Sequence, residues 1–501
     1  MLVLIGATLL AVALRAETGA GITARDLAAL RFTLVQALLS AALSVLLAVP
    51  VARALARRAF PGRGLFIGLL GAPFILPTIV AILGLLAVFG QAGFLNRLGG
   101  AVGLPRLNIY GLHGVVLAHV FFNLPLATRL ILQGWLSVPA ERFRLAASLG
   151  MEGRAVARHL EWPVLRDTLP GAFVAIFAIC LTSFAVALTL GGGPRATTVE
   201  LAIYQAFRFD FDLGRAARLA LVQLALCAAG AVLALRVARA SGLGAGLDRL
   251  PKRWDGTGTG ARLVDTFVLV ALAAFLLPPL VAILLRGLPM VAALPESVWL
   301  AAGRSVLVAV VSSALCTLLA FALALGLARK MRGRGFLEAV GYLPIAASPL
   351  VLGAGLYILL FPLVNPVAVS LPVVALVNAL MALPFCLRML VPAARDVETQ
   401  FGRLAASLDL SGLARLRYLE VPRMRRALGF SAGLAAALSM GDLGVIMLFG
   451  DPRAATLPMM LYQLMGAYRM AEAAGAALLL VALAFGLFWA FDRGGRVGAA
   501  T

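Results

Sequence analysis

The chain has 501 residues, 62% of them hydrophobic and 13% charged, with a net charge of +21 and a mean hydropathy of +1.00. An average soluble domain is roughly 25% charged, so this composition excludes a soluble enzyme, a disordered chain and a fibrous protein, and leaves a polytopic membrane protein. Arginine carries the excess, since Lys252 and Lys330 are the lysines, and such a balance means either nucleic acid or Arg-rich cytoplasmic loops.

A spanning helix needs about 20 mostly apolar residues. The sequence predicts twelve, near 1–16, 32–56, 64–90, 109–136, 164–190 and 214–238, then 263–285, 299–327, 336–361, 368–392, 424–450 and 474–491. Arg15 cuts the first one short. A signal peptide is the rival there, but Met1 is followed directly by apolar residues without a positive leader. A start codon placed too far downstream would shorten the segment equally.

With both termini cytoplasmic, the inner stretches 53–63, 129–166, 236–262, 329–334, 388–426 and 493–496 hold 30 of the 43 Arg and Lys residues. That bias sets the orientation. It also removes nucleic acid as a partner, because the charge is parcelled among loops. Cys180, Cys227, Cys316 and Cys386 lie in apolar runs without CxxC spacing and read as packing residues.

The chain repeats itself. Leu124, Pro125 and Arg129 match Leu383, Pro384 and Arg388 at a shift of 259, as do 145–149 with 404–408 and Glu161 and Pro163 with Glu420 and Pro422. Arg31, Ser40 and Arg57 match Arg304, Ser313 and Lys330 at 273, and Pro194 and Arg195 match Pro452 and Arg453 at 258. Two parallel six-helix repeats are expected, 1–240 and 263–501, joined by a Gly- and Arg-rich cytoplasmic linker over 241–262. The fold class is thus an all-α polytopic membrane protein.

Each repeat has its longest cytoplasmic loop between its fourth and fifth spans, 137–163 and 396–422. Both read as amphipathic helices. In the first, Pro139 suits a helix start, Glu141 suits the positive end of the dipole, and Gly150 suits the stop. In the second, Asp396 is the expected N-cap. One such helix could lie on the lipid surface. Two at matched positions favour a protein groove.

Ala146, Gly150 and Pro163, with Ala405 and Pro422, give Ala-x-x-x-Gly followed after thirteen residues by Pro. This resembles the EAA loop of ABC-importer permeases. The resemblance implies ATPase docking by Arg144, Ala146, Leu149, Gly150 and Pro163, and by Arg403, Ala405, Leu408, Asp409 and Pro422. Arg144 and Arg403 stand where that family has its leading Glu, and Asp409 where it has Gly. The resemblance covers the whole chain as two fused permease domains. Through 119–125, 190–205, 439–445 and 456–458 it is similar to the fused permeases of thiamine transport, with fused ferric-iron permeases as the nearest competitor. It implies two copies of a cytoplasmic ATPase carrying ATP and Mg, a periplasmic substrate-binding protein, a bacterial inner membrane, and alternating access. Phosphate esters of thiamine stay open as substrates.

No catalytic residue is expected in the chain itself. Neither lysine sits in a Gly-Lys-Ser/Thr loop. His113, His119 and His159 are too far apart for a metal site. A major-facilitator transporter also has twelve spans in two parallel halves, but it puts its long loop between the halves. An ionisable group within a span is costly and usually functional, which singles out Asp442 beside Gly441, with Ser183 and Phe184 at the matched place. The repeated outer segments add Thr198, Tyr204 and Gln205, and Thr456, Tyr462 and Gln463, to the expected substrate pathway.

Overall fold

The computed structural model describes residues 2–16, 21–71, 76–237, 258–329, 334–450 and 454–496. The described residues form helices and no strand. The N-terminal part runs α1 (Leu2–Ala16), α2 (Ala24–Arg57), α3 (Arg63–Leu69), α4 (Thr78–Phe89), α5 (Phe94–Ala101), α6 (Leu112–Leu136), α7 (Ala140–Ser148) and α8 (Gly153–Val156). A π-helical turn, Ala157–Glu161, leads into α9 (Trp162–Leu181), α10 (Phe184–Leu190), α11 (Val199–Arg208) and α12 (Leu213–Val237).

The C-terminal part runs α13 (Thr259–Gly287), α14 (Glu296–Ala328), α15 (Arg334–Ala346), α16 (Pro349–Leu360), α17 (Ser370–Ser407) and α18 (Gly412–Arg415). A second π turn, Leu416–Glu420, leads into α19 (Val421–Met440), α20 (Gly444–Phe449), α21 (Leu457–Gly466) and α22 (Met470–Arg496). The expected linker lies outside the described residues as far as 257, as do Lys330, Pro452 and Arg453.

Ten helical segments among the described residues are long and apolar enough to cross a membrane, and Val3–Ala16 and Pro349–Leu360 are shorter apolar helices. The difference from twelve uniform spans has a local cause. The expected third span of each part is broken, with a new helix starting behind Pro77 in one and behind Ser348 in the other. Proline has no N–H to give and its fixed φ suits a helix start, so Pro77 and Pro349 begin α4 and α16.

Packing follows membrane rules. On α14 most buried residues are small, Ala301, Ala302, Ser305, Ala309, Ser312, Ser313, Cys316, Ala320 and Ala324, joined by Val298, Val308 and Leu327, while Leu300, Leu307, Leu315 and Leu318 are exposed. Lipid is as apolar as leucine, so close backbone approach through small residues does the associating. The first helix of each part crosses to the other: α1 packs on α16, and α13 packs on α4 and α2. Two glycines permit the crossings. A Cβ at Gly84 would lie 2.6 Å from the Pro279 carbonyl oxygen, and one at Gly355 would lie 2.6 Å from that of Thr8.

One expectation is corrected. Asp396 caps no helix, because α17 runs unbroken from Ser370 to Ser407. In the N-terminal part α6 ends at Leu136 and α7 starts behind Pro139. Pro139 disfavours helix at Val138, whereas the residue matched to it is Glu398, a good helix former.

Candidate functional site: a central cavity and two matched loop helices

Both expected fifth spans are also broken. α9 stops at Leu181, Ser183 is extended, and α10 begins at Phe184. α19 stops at Met440, and Gly441, Asp442 and Leu443 intervene before α20. The two broken third helices, α17 and the broken fifth helix of the C-terminal part meet around a cavity of about 240 Å3, lined by Leu76, Pro77, Thr78, Pro349, Asn378, Met381, Phe385, Ser439, Gly441 and Asp442 among others. Among the described residues, Asp442 is the one charged residue in that lining.

The carboxyl of Asp442 faces the N–H groups of Gly444, Val445 and Ile446 at the head of α20, and the Asn378 amide. Its Oδ2 atom is buried without a hydrogen-bond partner among the described residues. Asn378 also donates to the Ser439 hydroxyl at 3.0 Å. The residues matched to Asn378 and Asp442 at the shift of 259 are His119 and Ser183, and these two form a hydrogen bond of 2.6 Å. The other ring nitrogen of His119 meets Ser40 on α2 at 3.2 Å. The two parts thus place a polar pair at the same break, charged in one and neutral in the other. Neither His119 nor Asn378 was picked out by sequence as a pathway residue. Their match across the repeat was the available signal.

Of the expected pathway residues, Gly441 and Asp442 line the cavity. Phe184 lies beside it, since a Cβ on Gly444 would be 3.7 Å from its ring and 3.8 Å from Asp442 Oδ1. Ser183, bonded to His119, is outside the lining, and the other six sit on or at the head of α11 and α21, also away from it. Thr198 caps α11, accepting from the Leu201 N–H. Tyr204 packs edge-on against Phe184 at 5.4 Å. Thr456 stands at the N-cap position of α21, and Tyr462 and Gln463 lie within that helix. Burial raises the Tyr204 and Tyr462 hydroxyls above their ordinary range. Gln205 accepts the Phe209 and Asp210 N–H groups with its backbone carbonyl.

Aromatic and polar contacts join α11 to α16 and to the end of α20. Phe207 on α11 meets Tyr357 on α16 at 5.4 Å, Tyr357 meets Phe449 at 5.5 Å, and Arg208 donates to the Gly450 carbonyl at 2.9 Å. Glu200 is fully buried there. Burial pushes its carboxyl up to about 8, against the lowering effect of hydrogen bonds from Ser348 and Gln223.

In the two matched loops, 137–163 and 396–422, the helices end alike. Phe143 and Ala146 are buried beneath α7, while Leu145 and Leu149 are exposed. Ala405 is buried on α17, while Leu404 and Leu408 are exposed. Arg144 and Arg403 are exposed as well. Gly150 and Asp409 both take left-handed backbone, at φ 63° and 50°. Met151 N–H bonds Ala146 O and Gly150 N–H bonds Ala147 O, and Leu410 to Ala405 and Asp409 to Ala406 repeat the pattern. This is the Schellman stop. The departure at Asp409 leaves the geometry unchanged because Asp tolerates that region. Pro163 and Pro422 then start α9 and α19. Gly150→Val, which strains the stop by roughly 1–3 kcal/mol, is expected to lower transport, and Asp409→Gly is expected to keep it. Solute uptake at equal expression distinguishes the two.

No family model matches the chain. It is similar over its length to curated relatives. It is 40% identical over 502 residues to the thiamine transport system permease protein of Brucella abortus, covering 98% of this chain and 92% of the relative. It is 42% identical over 474 residues to that of Salmonella typhimurium, covering 92% and 88%. It is 40% identical over 482 residues to that of Escherichia coli, again covering 92% and 88%.

Proposed function

The chain belongs to the family of thiamine transport system permeases, fused permeases of ABC importers, and from that membership we propose that it moves thiamine inward through the central cavity. A periplasmic binding protein delivers the solute to the α11 and α21 side. Two copies of a cytoplasmic ATPase dock on α7 and on the end of α17, and their ATP-driven closure alternates access to the cavity. A ligand can shift such an equilibrium only by binding the two states unequally, and here the ATPase pair supplies the difference. The chain contributes positioning and no catalysis.

One observation supports this reading above the others: Asp442, whose buried Oδ2 has no hydrogen-bond partner among the described residues, lines the cavity, and no described residue of that lining is basic. Thiamine is a cation with two aromatic rings. A carboxylate would pair with its charge, and Phe385 in the lining offers an aromatic face. The volume falls just under the roughly 300–1,000 Å3 of small-molecule pockets. Asp442→Asn keeps the shape and removes the charge. A hydrogen bond to a charged group is worth about 1.5–3 kcal/mol, so thiamine uptake is expected to fall about tenfold or more with the ATPase still recruited. Full uptake by the assembled Asn variant would remove Asp442 from the pathway.

A further inference from the structure

The two π turns occupy matched positions, and each ends on a buried glutamate, Glu161 and Glu420. π turns are rare and concentrate at functional places. These two join the docking segments to α9 and α19. Glu161 pairs with Arg53 at 2.9 Å and with Arg57 at 3.5 Å, both at the cytoplasmic end of α2. Glu420 pairs at 2.6 Å with Arg329, the residue that ends α14. It also pairs at 3.0 Å with Arg415, which itself reaches Glu398 on α17.

The far parts of the same two helices hold the outer layer. The Thr33 hydroxyl of α2 accepts the Val199 N–H, the first of α11, at 2.9 Å. The Ser305 hydroxyl of α14 accepts the Leu457 N–H, the first of α21, at 2.7 Å. In place of the 273 that aligns Arg57 with Lys330, a shift of 272 sets Thr33 opposite Ser305 and Arg57 opposite Arg329, and it also relates Pro77 to Pro349. About 36 Å of helix, at 1.5 Å per residue, separates Thr33 from Arg57.

We propose that α2 and α14 are the transmission rods of the transporter, gripped at the cytoplasmic end by Glu161 and Glu420 and holding the outer helices through Thr33 and Ser305. The grip persists because pulling either buried glutamate away from its arginines leaves an uncompensated buried charge. A displaced docking helix therefore drags its rod, and the rod carries the first turn of α11 or α21 with it. All four are positioning residues. The proposal rests on the reading of the two loops as ATPase-docking segments.

The test uses the full complex of chain and ATPase in vesicles, with thiamine-loaded binding protein, and measures ATP hydrolysed per thiamine delivered. In Thr33→Val with Ser305→Ala, that ratio rises about tenfold, the size of a typical coupling energy, while ATPase recruitment stays at the wild-type level. Glu161→Gln with Glu420→Gln does the same. A wild-type ratio in either assembled double variant overturns the proposal. So does an equal fall of hydrolysis and uptake, which a merely structural role would give. If the glutamine pair fails to assemble, Arg53→Gln with Arg329→Gln, which removes the more exposed partners, decides by the same two outcomes. A wild-type complex that does not couple ATP to thiamine would count against the functional reading itself.

Discussion

A glutamate at both Leu149 and Leu408 is expected to abolish ATPase recruitment and thiamine uptake together. The two leucines are 68% and 61% exposed at the ends of the proposed docking helices, although each loop buries its neighbours Ala146 and Ala405. Burying a leucine against a partner is worth about 1.5–3 kcal/mol, and burying an unpaired carboxylate instead carries a further penalty. Two sites per chain bring the loss to roughly 5 kcal/mol or more, over a thousandfold in affinity. Pull-down of the ATPase from solubilised membranes measures it, alongside thiamine uptake. An ATPase retained at wild-type levels by the double variant would show that the apolar tips are not the docking surface. Arg144→Ala with Arg403→Ala is expected to act more mildly, since exposed charges contribute about 0–1 kcal/mol each.

Gly84→Val and Gly355→Val are expected to separate the two parts of the chain. At both positions the first obstacle is a backbone oxygen 2.6 Å away, on α13 or on α1, so no side-chain rotation relieves it. The helices must move apart, at a cost of about 1–3 kcal/mol for each overpacked site. The double variant should show a lowered thermal unfolding midpoint in detergent and little assembled complex. Gly486→Val is the control, since nothing lies within 4 Å of its added Cβ. A double variant as stable as that control would mean the crossings have slack.

Much of this architecture could be read from residue order. The apolar runs located the helices, and the matched Leu145 and Leu404 segments located both loops. Asp442 stood out because one carboxylate in an apolar run is conspicuous. The breaks did not, because Pro77 and Pro349 sit inside otherwise apolar runs and proline is tolerated within membrane helices. His119 and Asn378 look dissimilar until their shared place against the fifth-span breaks is seen. Asp409 departs from the expected Gly in the second loop, yet its backbone lies in the same left-handed region as that of Gly150. The expected cap at Asp396 failed for a converse reason. A capping residue starts a helix only where the preceding one has ended, and without a proline like Pro139 the earlier helix simply continued.

The exchange of first helices carries a consequence for how the molecule is made. α1 emerges from the ribosome long before α16, against which it packs, and α13 enters a membrane where α4 is already waiting. Until translation reaches residues 349–360, one flank of α1 has only lipid or the insertion machinery for company. A nascent chain stopped at the linker would therefore hold α1 unseated and the groove on α4 open, and supplying the missing part as a separate polypeptide would fill both vacancies at once.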